Sequence, residues 1–134
     1  MTAPILEARS LSKSFGAVVA ATDVSIDVPQ GQRVSLIGSN GAGKTTFVNM
    51  VTGYLKPDAG QILLDGRDIT RLSPRQVTRL GVARSFQIPQ LAAELSVLDN
   101  MLVAAACNAG APSFLRPART PEAIDAALAI LERF

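Results

Sequence analysis

Histidine is absent from the 134 residues. That removes any imidazole base, any zinc-binding His pair and any Ser–His relay from the chemistry this chain can supply. Cysteine occurs once, at Cys107, and one thiol cannot close an intrachain disulfide, so the fold depends on no oxidising compartment. Surrounded by apolar helix formers, Cys107 is expected to be a small core residue. Charge is scarce too. Charged residues make up 18% and hydrophobic ones 48%, a balance that excludes a disordered chain. Thirteen Lys and Arg against eleven Asp and Glu leave +2, too slight an excess to point to nucleic acid or an anionic membrane. Long apolar runs are missing: Phe15–Ala21 and Met101–Cys107 reach about a third of a membrane span. Glu7, Arg9 and Lys13 interrupt the region where a signal peptide needs an unbroken apolar core. The chain is therefore expected to be soluble, or to reach a membrane by docking on another protein. A mass of 14.0 kDa suits one compact domain.

The order of elements reads as β-rich first and helical second, a mixed α/β class. Residues 4–9 and 23–28 read as short strands, Ile26 and Val28 alternating with polar neighbours. Pro29-Gln30-Gly31 marks a turn, and 33–37 reads as a buried strand running into Gly38. From Lys44 a helical period begins, with Phe47, Val48 and Val51 on one face and Gly53 as its stop. A turn over 56–60, a strand at 61–64 and the hairpin pair Asp65-Gly66 follow. Ser73-Pro74-Arg75-Gln76 has the form of a helix start: a capping serine, proline in first position, and a glutamine that can reach back. That helix ends at Gly81, with a strand through 82–86 after it. Ser96 and Thr120-Pro121-Glu122 open two further helices.

Gly38-Ser39-Asn40-Gly41-Ala42-Gly43-Lys44-Thr45 satisfies the phosphate-loop pattern G-x-x-x-x-G-K-[ST] at every fixed position. Average residue usage gives such a match by chance in one chain of this length in ~200. Its place between an expected strand and an expected helix sharpens it. Glycines 38, 41 and 43 let the backbone curl so that successive N–H groups form an anion nest. The free N–H groups at the helix start add a partial positive charge. Lys44 can then reach the β- and γ-phosphates of a nucleoside triphosphate, and the Thr45 hydroxyl can ligate Mg²⁺. The bland alternative is a glycine-rich turn carrying a solvated lysine.

With Thr46 as a second threonine, the loop resembles that of the ATP-binding subunits of ABC transporters. Three further stretches fit in order and spacing. Leu11-Ser12-Lys13-Ser14-Phe15-Gly16 stands where that family carries an aromatic that stacks on adenine. Gly60 through Gly66 resembles its β-hairpin, and Ala83-Arg84-Ser85-Phe86-Gln87 its glutamine loop. The Arg-Ser-Phe-Gln form and the stretch 95–105 are most similar to subunits of branched-chain amino acid importers. The resemblance implies a P-loop NTPase of ABC ATPase type. A β-rich nucleotide-binding subdomain would cover 1–90, and the beginning of a helical subdomain 91–134. It implies ATP and Mg²⁺ as ligands, Phe15 at the base, Gly38 through Thr46 at the phosphates, and Thr45 and Gln87 at the metal. It also implies a second ATP-binding subunit and membrane permease subunits as partners, at the cytoplasmic face of the plasma membrane. Each residue keeps its plainer alternative: Phe15 a core aromatic, Gln87 a polar strand end, Thr46 a helix-start hydroxyl.

Other features argue for restraint. Leu72-Ser73-Pro74-Arg75-Gln76 echoes the family's L-S-G-G-Q signature, but it precedes the glutamine loop and has Pro-Arg where two glycines belong. Asp65 is followed by Gly66, not by a glutamate, so it reads as a hairpin turn. No Asp-Glu dipeptide, switch histidine or true signature occurs. The 134 residues are thus expected to be the front part of an ATPase subunit and to hydrolyse ATP negligibly alone. The 33–37 segment is expected to lack neighbours and to leave apolar surface exposed. A non-catalytic nucleotide-binding fragment is the alternative. A small kinase or GTPase finds no support, since no Asn-Lys-x-Asp sequence occurs. Between 67 and 84, five arginines face one acid, Asp68, a local excess above the whole chain's +2. Arg71, Arg75 and Arg79 would share one helical face. The readings are an acidic or headgroup docking surface, nucleic acid, or a solvated face. With no aromatic interleaved with the basic residues, the solvated face is the favoured reading, and nucleic acid is not expected as a partner.

Overall fold

A computed structural model describes residues 3–86, 91–108 and 119–133. Strands β1 (Pro4–Phe15) and β2 (Val18–Pro29) precede helix α1 (Lys44–Val51). Strands β3 (Ala59–Leu64) and β4 (Arg67–Asp68) follow, then helices α2 (Pro74–Arg79), α3 (Val97–Asn108) and α4 (Pro121–Leu131). The strands form one antiparallel sheet in the order β2-β1-β3-β4.

The first two strands are about twice as long as the alternation in the sequence suggests. Ala8 and Leu11 are both fully buried although three residues apart, and Ala21 and Val24, also three apart, pack on the same core. A flat strand would put such pairs on opposite faces. Positive φ angles at Ser10 (51°) and Asp23 (48°) mark the irregularities that reset the alternation. Hydroxyls serve the displaced amides: Ser10 N–H donates to Ser25 Oγ at 2.9 Å, and Asp23 N–H donates to Ser12 Oγ at 3.0 Å. Gly60 completes this join. A Cβ there would collide with the Ser10 and Arg9 carbonyls, so β3 crosses the bulge of β1 only with glycine.

The core gathers Ala8, Leu11, Met50, Ile62, Ile69 and Val77, flanked by half-buried Phe47, Leu55, Leu72 and Val82. On α1 the buried face runs through Phe47, Met50 and Val51. Val48, expected on it, lies at the rim and is 36% exposed. Asp65-Gly66 makes the two-residue β3–β4 turn, both residues at positive φ. Ser73 caps α2 through a box in which Gln76 Oε1 accepts from Ser73 N–H at 2.9 Å.

Three expectations are corrected. Residues 33–37 form no strand, although, as expected, they make no sheet pairing among the described residues and leave Val34, Leu36 and Ile37 exposed. Residues 82–86 form no strand either. Apolar runs become strands only where a neighbour offers a ladder, and the neighbours described here leave these two without one. Cys107 is exposed, not buried. Leu102 is the residue that α3 buries, and five positions at 100° each carry Cys107 about 140° away from it.

The chain divides into two compact units, Met1–Ala83 and Arg84–Phe134. In the second, α3 packs on α4, and Thr120 caps α4 by accepting the Ala123 N–H at 3.2 Å. No helix among the described residues is long and apolar enough to cross a membrane.

Candidate functional site

The loop entering α1 closes on itself. Ala42 N–H donates to the Ser39 carbonyl at 3.2 Å, and the first bond of the helix runs from Phe47 N–H to the Gly43 carbonyl at 2.9 Å. The N–H groups of Gly43, Lys44, Thr45 and Thr46 meet no acceptor among the described residues. Most helices fill this position with a Ser, Thr, Asp or Asn cap or a first-turn acid. Here Gly43 is the cap, and the first turn carries no acidic residue. The result is a helix start that an anion would complete. Lys44 bends back over the loop, its Nζ donating to the carbonyls of Gly38 and Ser39, each at 2.7 Å. A cation is thereby stationed beside the four free amides.

The loop is anchored to the sheet. Gly43 has φ of 82° and ψ of 2°, and a Cβ on it would run into the carbonyl oxygen of Ala20 in β2. Ala20 is two residues from Val18, which pairs with Phe15 at the tip of the β1–β2 hairpin. At ~3.4 Å per residue, about 7 Å of strand separates the loop contact at Ala20 from Val18, the residue opposite Phe15. Phe15 is half exposed and is not a core aromatic. The Lys13 Nζ lies 5.8 Å from its ring centroid. A planar ring and a phosphate-type anion site, 23 residues apart at their nearest in sequence, are thus carried by one hairpin and the loop pressed against it.

Asp58, which the sequence presents only as part of a turn, joins this arrangement. Its carboxylate accepts from Lys13 Nζ at 2.5 Å and from the Ser14 N–H at 2.8 Å. The Lys13 bond, then the Ser14 amide, hold its pKa below the usual aspartate value.

Ser39, Asn40, Gly41, Ala42 and Thr45 are exposed, while Lys44 and Thr46 are half-buried. Gln87 lies outside the described residues. Just before it, Arg84 sits over the Phe86 ring, 5.3 Å from the centroid. Among the described residues no group of three or more His, Cys, Asp or Glu could hold a metal. A divalent ion that takes most of its ligands from phosphate oxygens and water needs only a hydroxyl such as that of Thr45, so the donor set fits Mg²⁺. Sequence reasoning missed Ala20, Lys13 and Asp58. Their only signals were the Lys-Pro-Asp-Ala-Gly turn and a lysine two residues before the aromatic.

Residues 21–133 match the ABC transporter family. The chain is 39% identical over 140 aligned positions to the high-affinity branched-chain amino acid transport ATP-binding protein LivG of Escherichia coli (strain K12). That alignment covers 99% of this chain and 55% of the relative. It is 44% identical over 100 positions to a probable branched-chain amino acid transport ATP-binding protein, LivG, of Archaeoglobus fulgidus, covering 75% of this chain and 39% of that one. Among solved structures, an ATP-binding cassette of an ABC transporter in its ADP conformation matches with a TM-score of 0.84. The two are 36% identical, over 98% of this chain and 54% of the cassette. The chain spans about half the length of the curated relatives it matches. With a family match over most of its residues and an α/β fold shared with ABC cassettes, this chain belongs to the ABC transporter family.

Proposed function

We propose that the chain is the nucleotide-binding part of an ATP-binding subunit that powers an ABC importer, with branched-chain amino acids as cargo. The observation that carries this reading is the uncapped start of α1. Four free amides and the Lys44 ammonium converge there on a loop whose sequence is the phosphate-loop pattern. The names of the relatives, branched-chain amino acid transport ATP-binding proteins, support the cargo. The resemblance noted in the sequence extends the assignment to residues 1–90 as the nucleotide-binding subdomain and 91–134 as the beginning of a helical one.

In this reading the amides of Gly43 through Thr46 bind the phosphates. Lys44 exchanges its Gly38 and Ser39 carbonyls for phosphate oxygens at little cost in hydrogen bonds, since it has donors to spare. Phe15 stacks on the adenine. The Thr45 hydroxyl, with Gln87, holds Mg²⁺, whose charge offsets that of the phosphates when bound. Two such subunits would clasp ATP between them at the cytoplasmic face and transmit closure to membrane permease partners.

Phosphoryl transfer asks for more than binding: an oriented water, and charge placed where it develops. The 134 residues hold neither an Asp-Glu pair nor a histidine. The chain alone therefore binds ATP without turning it over. Calorimetric titration with Mg²⁺–ATP, beside a phosphate-release assay, tests both halves. Binding that weakens at least about tenfold in Lys44→Ala, with no release above background, is the expected result. Release that Lys44→Ala abolishes would make this chain a complete ATPase and overturn the second half. A folded chain that binds no nucleotide would overturn the first.

A further inference from the structure

We propose that Asp58 is a positioning residue for the nucleotide base: it fixes the hairpin tip that presents Phe15 by gripping Lys13 and Ser14. The inference rests on the nucleotide-site reading above.

The sheet explains why such a grip is needed. Pairing between β1 and β3 ends at Ser12 opposite Ala59, so beyond Ser12 the only strand paired with β1 among the described residues is β2. A two-stranded hairpin is marginal by itself in water, and the tip here is exposed, Phe15 and Val18 being 50% and 66% accessible. A stacking platform on a fraying tip would order only on binding, at a cost in affinity.

Asp58 stands where β3 would continue. Its N–H donates to the Ser12 carbonyl at 2.8 Å. Its carboxylate then takes the Ser14 N–H at 2.8 Å, the amide a third strand would otherwise have satisfied. Its other oxygen holds the Lys13 ammonium, whose side chain is only 15% exposed, and which lies 5.8 Å from the Phe15 ring centroid. One carboxylate thus replaces one rung of ladder, one residue away from Phe15, and keeps a cation beside the ring.

The test compares ATP with inorganic tripolyphosphate, which shares the phosphates and lacks the base, by calorimetry on the 134-residue chain. Phe15→Ala is expected to weaken ATP about tenfold and leave tripolyphosphate within about twofold. Asp58→Ala is expected to weaken ATP about threefold or more, again sparing tripolyphosphate, with Asp58→Asn between it and the unmodified chain. In the Phe15→Ala background Asp58→Ala should have no further effect, because its route to the base has been removed. Retained tripolyphosphate binding reports an intact loop, and Asp58→Asn is the variant to read should Asp58→Ala unfold. The assignment is overturned if Asp58 variants leave ATP affinity unchanged, weaken both ligands equally, or add their full effect to Phe15→Ala. It is also overturned, with the nucleotide site intact, if Phe15→Ala has no effect. A folded chain binding neither ligand would overturn the site reading, and the assignment with it.

Discussion

Gly43 has no room for a side chain because the carbonyl oxygen of Ala20 occupies the place. The phosphate loop is therefore shaped from outside as well as by its own glycines, and β2 sets where α1 begins. Gly41 gives the comparison: its φ of 84° matches the 82° of Gly43, but a Cβ on it would meet nothing within 4 Å. Gly41→Ala should lose about 1–2 kcal/mol, the cost of a left-handed alanine. Gly43→Ala bears that cost plus a backbone collision, and should lose about 2–4 kcal/mol. Urea titration measures both, and equal losses would mean that the Ala20 contact constrains nothing.

Thr120 is the cap of α4, accepting the Ala123 N–H, with Pro121 preset in the first helical position. The helix buries little else than Ala127, so its start matters more than it would in a well-packed helix. Thr120→Ala should destabilise the helix by about 1 kcal/mol. Amide hydrogen exchange should quicken over 121–131 while the amides of β1 and β3 keep their rates. Unchanged exchange in α4 would show that the helix is held by its packing on α3.

Much of this was legible in the sequence because it is local chemistry. The phosphate loop, the Ser73–Gln76 box, the Asp65-Gly66 turn and the Thr120 cap each follow from two to eight consecutive residues. What could not be read depends on residues far apart meeting. The alternation of β1 breaks at Ser10, so a period-2 reading ends the strand at Arg9. Only the hydroxyls of Ser12 and Ser25 and the gap at Gly60 show why it continues. Segment 33–37 illustrates the reverse. Its composition is that of a buried strand, but burial is supplied by neighbours and not by composition. Asp58 was hidden for a third reason: Lys-Pro-Asp-Ala-Gly is a complete turn signal, and nothing in it tells that the carboxylate reaches back 44 residues to Ser14.

Acid should expose the Asp58 grip. Its folded-state pKa lies below the ordinary 3.8, first because of the Lys13 bond and next because of the Ser14 amide. A depressed carboxylate adds stability that is fully present above the unfolded value and is lost as pH falls through the folded one. The unmodified chain should therefore exceed Asp58→Asn in stability by a constant margin from pH 7 to about pH 5. The margin should shrink below about pH 4 and vanish once the carboxyl is protonated. Thermal melts of both proteins across that range read the margin directly. A margin that persists at the acid end would assign the effect to shape and not to charge.

The segment before the phosphate loop carries the sharpest exposed apolar feature: Ile37 is 91% accessible, and Val34 and Leu36 are 50% and 41%. Residues 32–39 also make no sheet pairing among the described residues. Unpaired backbone and contiguous apolar side chains together form a template for another strand. In isolation the chain should therefore self-associate, with a sedimentation coefficient that rises with concentration. Replacing Leu36 and Ile37 by lysine should hold it monomeric, since charge on an edge opposes pairing. Ile37 is so exposed that its replacement removes almost no buried contact, and the melting temperature of the single variant Ile37→Lys should stay within about 2 °C. Association unchanged by the two lysines would move the contact elsewhere, to the exposed Val97, Val103 and Ile130 of the helices.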